Sequence, residues 1–264
     1  MHEFSVSPLL NAARDLAEQV DLLRFEQPVE FVYNPLQYAW KVHAAYITRF
    51  ANSTKDVVFV GMNPGPYGMA QTGVPFGEIH MVRNWMGLYA EIDAPPREHP
   101  KRPVTGFSCP KSEVSGRRLW GLMQQRFGSA DSFFRNHFVV NYCPLVFMEE
   151  SSRNRTPNQL RKNERRALFE LCDHHLLQVL QTLQPNWVIG VGKFAEECAA
   201  RAVASMQSAA TARTAGILHP SPANPHANRG WAETAAAQLE TAGVWPSSAA
   251  NSAPSSEKPS PETR

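Results

Sequence analysis

Four short runs along the chain are almost wholly apolar: Asp56–Val60 (DVVFV), His137–Asn141 (HFVVN), Trp187–Val191 (WVIGV) and Gly216–His219 (GILH). Each is bounded by Gly, Pro or Asn, which predicts strands covered on both faces. Between them the apolar positions recur at helical spacing. One helix is predicted from Ser115 to Gly128. Another opens at Thr156-Pro157-Asn158-Gln159, where Thr156 can cap, Pro157 suits the first helical position and Gln159 completes a capping box. Its stripe runs through Leu160, Leu168, Leu171, Cys172, Leu176, Val179 and Leu180, and Pro185 follows its end. Further helical patterns cover Phe194–Ser205, Arg229–Ala242, about Pro8–Arg24 and Leu36–Phe50.

Strand followed by helix, repeated, is the grammar of a parallel sheet between helix layers, an α/β fold. In such sheets ligands gather beyond the carboxyl ends of the strands. The unusual residues of this chain sit at those ends. The first run leads into Gly61-Met62-Asn63-Pro64-Gly65-Pro66, the second into Asn141-Tyr142-Cys143-Pro144, and the fourth into His219-Pro220-Ser221-Pro222. If the strands are parallel, Asn63, Asn141 and His219 converge on one rim.

Composition narrows the class. The chain has 264 residues, 43% hydrophobic and 19% charged, with 15 Gly and 21 Pro, which is globular and neither collagen-like nor wholly disordered. The expected organisation is a single domain over residues 1–246. The last 18 residues, SSAANSAPSSEKPSPETR (247–264), hold no large apolar side chain and are expected to be a disordered Ser/Pro-rich tail. No apolar run approaches the roughly 20 residues that cross a bilayer, and the amino terminus lacks the basic-then-apolar order of a secretory signal. An intracellular protein without membrane contact is expected. Cys109, Cys143, Cys172 and Cys198 lack zinc-like spacing and are expected to be reduced, in or near the core.

The net charge of +2 is small, but its distribution is uneven. Residues 97–118 hold six Lys/Arg against two Glu, and residues 151–166 hold six against one. Two such clusters suggest a surface facing a polyanion, although a solvated helix face would account for either alone.

Several chemistries drop out. Gly190-Val191-Gly192-Lys193 lacks the spacing of a phosphate loop, and Phe194 stands where a metal-binding hydroxyl would be needed. Asp173-His174-His175 places neighbouring side chains about 100° apart on a helix, which favours an exposed helix face over a metal site. No G-x-S-x-G elbow is present. The segment 61–78, GMNPGPYGMAQTGVPFGE, reads as an ordinary strand-to-helix turn as far as its glycines and prolines go, but that reading gives no role to Asn63 or Phe76.

These residues carry a family resemblance. The chain resembles the single-strand-selective monofunctional uracil-DNA glycosylases of the uracil-DNA glycosylase superfamily. The likeness rests on residues 61–78, on EHPKRPVTGFSCPKSEVSG (98–116), NYCPLVFM (141–148), SRNRTP (152–157) and HPSPANPHANRGW (219–231), within a span of roughly residues 20–245. It implies a three-layer α/β/α sandwich around a central four-stranded parallel sheet. It also implies hydrolysis of the bond between uracil and deoxyribose, leaving an abasic site, with 5-hydroxymethyluracil and other oxidised pyrimidines as further substrates. No cofactor and no metal is expected. The partner implied is uracil-containing DNA, single- or double-stranded, and a monomer is expected. The location would be the nucleus in a eukaryote, or the nucleoid-associated cytoplasm of a bacterium.

Such an enzyme must take its nucleotide out of the stack. An amide offers a donor and an acceptor side by side, so it can pair with uracil N3–H and O4 while opposing cytosine like with like. The resemblance assigns that reading to Asn141, the stacking face to Phe76, the donor at uracil O2 to His219, and the positioning of the attacking water to Asn63. Met62 and Gly65 would meet the base through their backbone, and the small Gly65 would leave room near uracil C5. The loop Ser221, Pro222, Ala223, Asn224 resembles a segment that enters the duplex. Ala223 stands where the family often has arginine, which predicts weaker action on duplex DNA, and Tyr67 stands where Phe is common. Lys101, Arg102, Lys111, Arg117, Arg118, Arg153 and Arg155 are candidate phosphate contacts. Two alternatives stay open: a lesion-binding protein without turnover, and a mismatch-type glycosylase preferring G·U or G·T pairs.

Overall fold

A computed structural model of the chain describes residues 4–206 and 212–247. All but the first residue of the expected tail lies outside the described residues. Among the described residues seven strands are present: β1 (Phe31–Tyr33), β2 (Val57–Gly61), β3 (His137–Asn141), β4 (Val146–Met148), β5 (Asn154–Arg155), β6 (Trp187–Val191) and β7 (Arg213–Ile217). The α-helices are α1 (Ser7–Asp21), α2 (Pro35–Tyr38), α3 (Trp40–Phe50), α4 (Met69–Thr72), α5 (Val114–Phe127), α6 (Ala130–Phe134), α7 (Lys162–Leu183), α8 (Lys193–Ala204) and α9 (Trp231–Thr241).

Four strands form a parallel sheet in the order β3-β2-β6-β7. Every residue of β2 and β3 is buried, as their largely apolar sequences require of strands packed on both faces. Helices flank this sheet. α1 packs on α7 and α7 on α8, which lies against β6 and β7, while α5 joins α6 and α9. The core contains Phe59, Trp120, Phe133 and Leu119, all at 0% exposure. The four expected strands are therefore present, parallel and central.

Three boundaries differ from expectation. The last strand is β7, Arg213–Ile217, so His219 lies two residues beyond it rather than inside it. The capping box at Thr156 closes only a 3-10 turn, Pro157–Gln159. Leu160 is then extended and buried, which pulls the chain out of helical geometry. α7 starts afresh at Lys162, where Glu164 accepts from the Arg161 N–H at 3.1 Å and from the Glu26 N–H at 2.6 Å. The pattern from Leu36 to Phe50 divides into α2 and α3 at Ala39, whose backbone abuts Gly73.

A second, antiparallel sheet of three strands, β1-β4-β5, has no counterpart in the sequence reading. Its strands are too short to show a period. A small apolar cluster containing Tyr33, Tyr38, Val146 and Met148 anchors it. Its place matters because β4 follows the NYCP segment directly and so holds the chain that returns from β3 across the end of β2. Cys143, Cys172 and Cys198 are buried, Cys109 is half-buried, and all four are free. His175 is buried rather than exposed, because α7 is covered on that side by α1. Among the described residues no group of His, Cys, Asp and Glu has the arrangement of a metal site, and no helix is long and apolar enough to cross a membrane.

Candidate active site

The parallel register sets Gly61 of β2 directly beside Asn141 of β3. Gly61 is required there by close approach. A Cβ on it would lie 2.3 Å from Asn141 Oδ1 and 2.6 Å from the Phe76 ring. The absent side chain thus lets an amide and an aromatic face meet at the carboxyl end of the sheet. Met62, Asn63, Gly65, Phe76, Asn141, His219, Ser221 and Pro222 all line one open cavity of about 340 Å³ there. Every residue expected at the base pocket is brought together.

Each side chain is held in a particular state. Asn63 donates both of its amide hydrogen bonds to backbone oxygens, Leu145 at 3.0 Å and Pro64 at 3.3 Å. With the nitrogen committed, Oδ1 is left as an acceptor for a ligand or water. The carbonyl of Leu145 is in place because Cys143 N–H binds Met62 O at 2.9 Å and β4 follows at once. Asn141 is 7% exposed, and its Nδ2 lies 3.4 Å from Met69 Sδ. The donor end of this amide therefore points toward the start of α4, and its acceptor end toward Gly61.

His219 accepts at Nδ1 from the Ser221 N–H, 3.1 Å away. Burial lowers its pKa from the ordinary histidine value, so the ring is neutral near pH 7. Together these place the single ring proton on Nε2, making a neutral donor. Its back packs on Gly192, whose φ of +89° and missing Cβ admit the ring. Gly192, which failed as part of a phosphate loop, thus serves as the histidine's seat.

Phe76 has φ of +52°, a left-handed conformation that costs a bulky residue on the order of 1–3 kcal/mol. Its carbonyl accepts from Trp120 Nε1 at 2.9 Å and from the Glu78 N–H at 2.7 Å. Gly116 gives that carbonyl room, since a Cβ there would sit 2.0 Å from it. The ring lies 6.3 Å from His219, tilted by 44°. The strained backbone holds a ring in place as one wall of the cavity.

The basic candidates separate into two sets. Lys101, Lys111, Arg117 and Arg153 are exposed. Arg102 lies over the Tyr67 ring and contacts its hydroxyl, while Arg155 binds Glu149 at 2.7 Å and Gln159 O at 2.8 Å. Arg118 donates to Pro220 O at 2.9 Å and Asn228 Oδ1 at 2.8 Å, so it braces the loop after His219. Ala223 is exposed on that loop, and Asn224 Oδ1 accepts from the His226 N–H. Sequence reasoning placed none of Glu113, Met69, Asn154 and Thr156 at the pocket, yet all of them line the cavity. Only Glu113 left a signal, an acidic side chain one residue before a helix.

Comparison with known proteins accords with this geometry. The model of the uracil DNA glycosylase superfamily matches residues 48–240. A single-strand selective monofunctional uracil-DNA glycosylase of Rattus norvegicus is 44% identical over 256 residues, covering 93% of this chain and 91% of the relative. A protein of the same description from Bos taurus is 47% identical over 231 residues, covering 88% and 84% respectively. The crystal structure of Pedobacter heparinus SMUG2 superposes with a TM-score of 0.60 at 14% identity, covering 89% of this chain and 99% of that one, a likeness of fold.

Proposed function

The chain belongs to the uracil DNA glycosylase superfamily, and we propose that its cavity excises uracil from DNA by positioning water and stabilising the departing base, without forming a covalent intermediate. It is a monofunctional uracil-DNA glycosylase of DNA repair. The observation that carries the mechanism is the fixed state of two groups on one cavity: an amide oxygen of Asn63 freed by the tethering of its nitrogen, and a neutral imidazole of His219 with its proton on Nε2.

The chemistry follows from those states. A nucleotide turned out of the stack slides its base against Phe76, a contact worth about 1–3 kcal/mol and indifferent to base identity. Asn141 supplies identity: its oxygen accepts from uracil N3–H and its nitrogen donates to O4. Cytosine offers the reverse pattern and would leave buried polar groups unpaired, at ~1–3 kcal/mol. As the glycosidic bond breaks, negative charge gathers on the base and positive charge on the sugar. The His219 Nε2–H meets the charge at O2, as an oxyanion-hole donor does. Asn63 Oδ1 orients the water that attacks the sugar carbon. An amide is too weak a base to remove the proton fully, so its work is positioning and electrostatics.

Oxidised uracils, 5-hydroxymethyluracil among them, enter the same pocket because Gly65 leaves space. Single strands and duplexes are both substrates, with duplexes handled less well because the exposed Ala223 offers neither bulk nor charge to a vacated stack. The exposed cations Lys101, Lys111, Arg117 and Arg153 contact phosphates. The enzyme acts as a monomer within the cell, at the nuclear or nucleoid DNA. A panel of uracil and 5-hydroxymethyluracil oligonucleotides, single- and double-stranded, followed by alkali, tests the reading. Intact strands at high enzyme concentration would support a binder without turnover, and activity confined to G·U and G·T pairs would support a mismatch enzyme. Ala223→Arg should raise the duplex rate more than the single-strand rate.

A further inference from the structure

The cavity has a polar wall that excision itself does not use. Glu113 lines it, immediately before α5, as the cap of that helix. Its Oε2 accepts from the Gly116 N–H, and Ser115 adds hydrogen bonds to the carboxylate. The side chain lies along Gly68, where a Cβ would come within 3.0 Å of Glu113 Cγ. Its Oε1 faces Gly65 and would stand 3.9 Å from a Cβ there. Among the described residues no ion pair to Glu113 is present.

The orientation of Asn141 shows which edge of the base meets this wall. The amide nitrogen, which donates to O4, points toward Met69 at the start of α4. The next atom round the ring from O4, on the side away from N3, is C5. A base paired with Asn141 as in the excision reading above would turn C5 toward the turn Gly65–Met69. Neither Gly65 nor Gly68 carries a side chain, so a group on C5 extends between them toward the carboxylate.

We propose that Glu113 is a specificity-determining residue that reads the 5-position of the extruded pyrimidine, accepting a hydrogen bond from a hydroxyl carried there. A hydroxymethyl group donates its proton to the carboxylate. A formyl group of similar size presents only an acceptor, and a methyl group desolvates the carboxylate with no bond in return. Burial, with Glu78 nearby, raises the Glu113 pKa above the ordinary carboxylate value, the direction expected of an acceptor whose usual solvent has been withdrawn. This inference rests on the excision reading above.

Two variants separate reach from charge. Glu113→Gln keeps the reach but places an amide donor on the wall. Glu113→Asp keeps the charge and is a favourable helix cap, so it protects folding while withdrawing the carboxylate by one methylene. Single-turnover rates are measured for uracil, 5-hydroxymethyluracil and 5-formyluracil in single-stranded oligonucleotides. Each rate is divided by the same protein's uracil rate, and the variant ratio by the wild-type ratio, which cancels leaving-group chemistry. The 5-hydroxymethyluracil ratio should fall roughly 10- to 100-fold in Glu113→Asp and less in Glu113→Gln, the loss expected for one hydrogen bond to a charged group. The 5-formyluracil ratio should rise in Glu113→Gln alone. Calorimetric binding of the free bases gives the same comparison without turnover. Ratios within threefold of wild type in both variants would overturn the role of Glu113 while leaving uracil excision intact. Wild-type protein that removes no uracil would refute the excision reading itself, and this inference with it.

Discussion

Gly61→Ala tests the site most directly, because it adds one methyl group at the point where three distant segments meet. The new Cβ would lie 2.3 Å from Asn141 Oδ1 and 2.6 and 2.8 Å from two atoms of the Phe76 ring. Ordinary carbon contacts begin near 3.5 Å, so the amide and the ring must each retreat by roughly 1 Å. β2 and β3 are fully buried and hydrogen-bonded in register, which leaves the side chains as the parts able to move. Overpacking of this kind costs about 1–3 kcal/mol in stability. A misplacement of about 1 Å at a reacting site costs on the order of 100-fold in rate. The expected result is a folded protein with a modestly lower Tm and at least a 100-fold fall in single-turnover excision of uracil. Gly121→Ala serves as the control, since a Cβ there meets nothing within 4 Å and the position lies within α5. Its helix should gain about 0.5–1 kcal/mol, with excision unchanged. Wild-type excision by Gly61→Ala would refute the convergence of Asn141 and Phe76 on one base.

Asn63→Ala and His219→Leu should each fold yet lose about 10²–10³-fold in single-turnover rate, the usual loss for one transition-state donor or positioning group. Near-normal turnover by Asn63→Ala would remove the water-positioning role. Phe76→Ala, measured for equilibrium binding of uracil oligonucleotide in the slowed Asn63→Ala background, should weaken affinity by ~1–3 kcal/mol, and an unchanged Kd would exclude stacking. Removing Lys101 and Arg117 together should lower the slope of log Kd against log salt by about two, whereas an unaltered slope would place them away from phosphate. His175 is buried, its Nδ1 has no hydrogen-bond partner among the described residues, and burial lowers its pKa to about 3. Because the folded value lies below the unfolded value of about 6.5, the unfolded chain binds the proton first. Stability is then complete above pH 6.5 and falls as pH drops toward 3, by about 1.4 kcal/mol per pH unit from this group. His175→Leu should flatten the acid limb of a Tm-against-pH curve, and a superimposable limb would count against that burial.

The sequence by itself determined the sheet and the rim. The runs at 57–60, 138–140 and 187–191 are uninterrupted by charged or strongly polar side chains, a local pattern that needs no tertiary information to be read as buried parallel strands. Their carboxyl ends carried Asn63 and Asn141 into view, the end of the fourth run did the same for His219, and the family resemblance added Phe76. Local signals misled where burial outweighed capping: the Thr156 box is real, yet Leu160 seeks the core and the helix waits for Lys162. The three-stranded sheet was illegible because two to three residues cannot display a period. Only the tertiary structure decided the states of the side chains. That Asn63 has spent its nitrogen depends on a carbonyl 82 residues away, that His219 donates through Nε2 depends on Ser221 and on burial, and that Glu113 faces Gly65 depends on how α5 meets the turn after β2. Periodicity records which face of an element is covered. Which atom of a side chain is left free is set by partners that sequence distance does not encode.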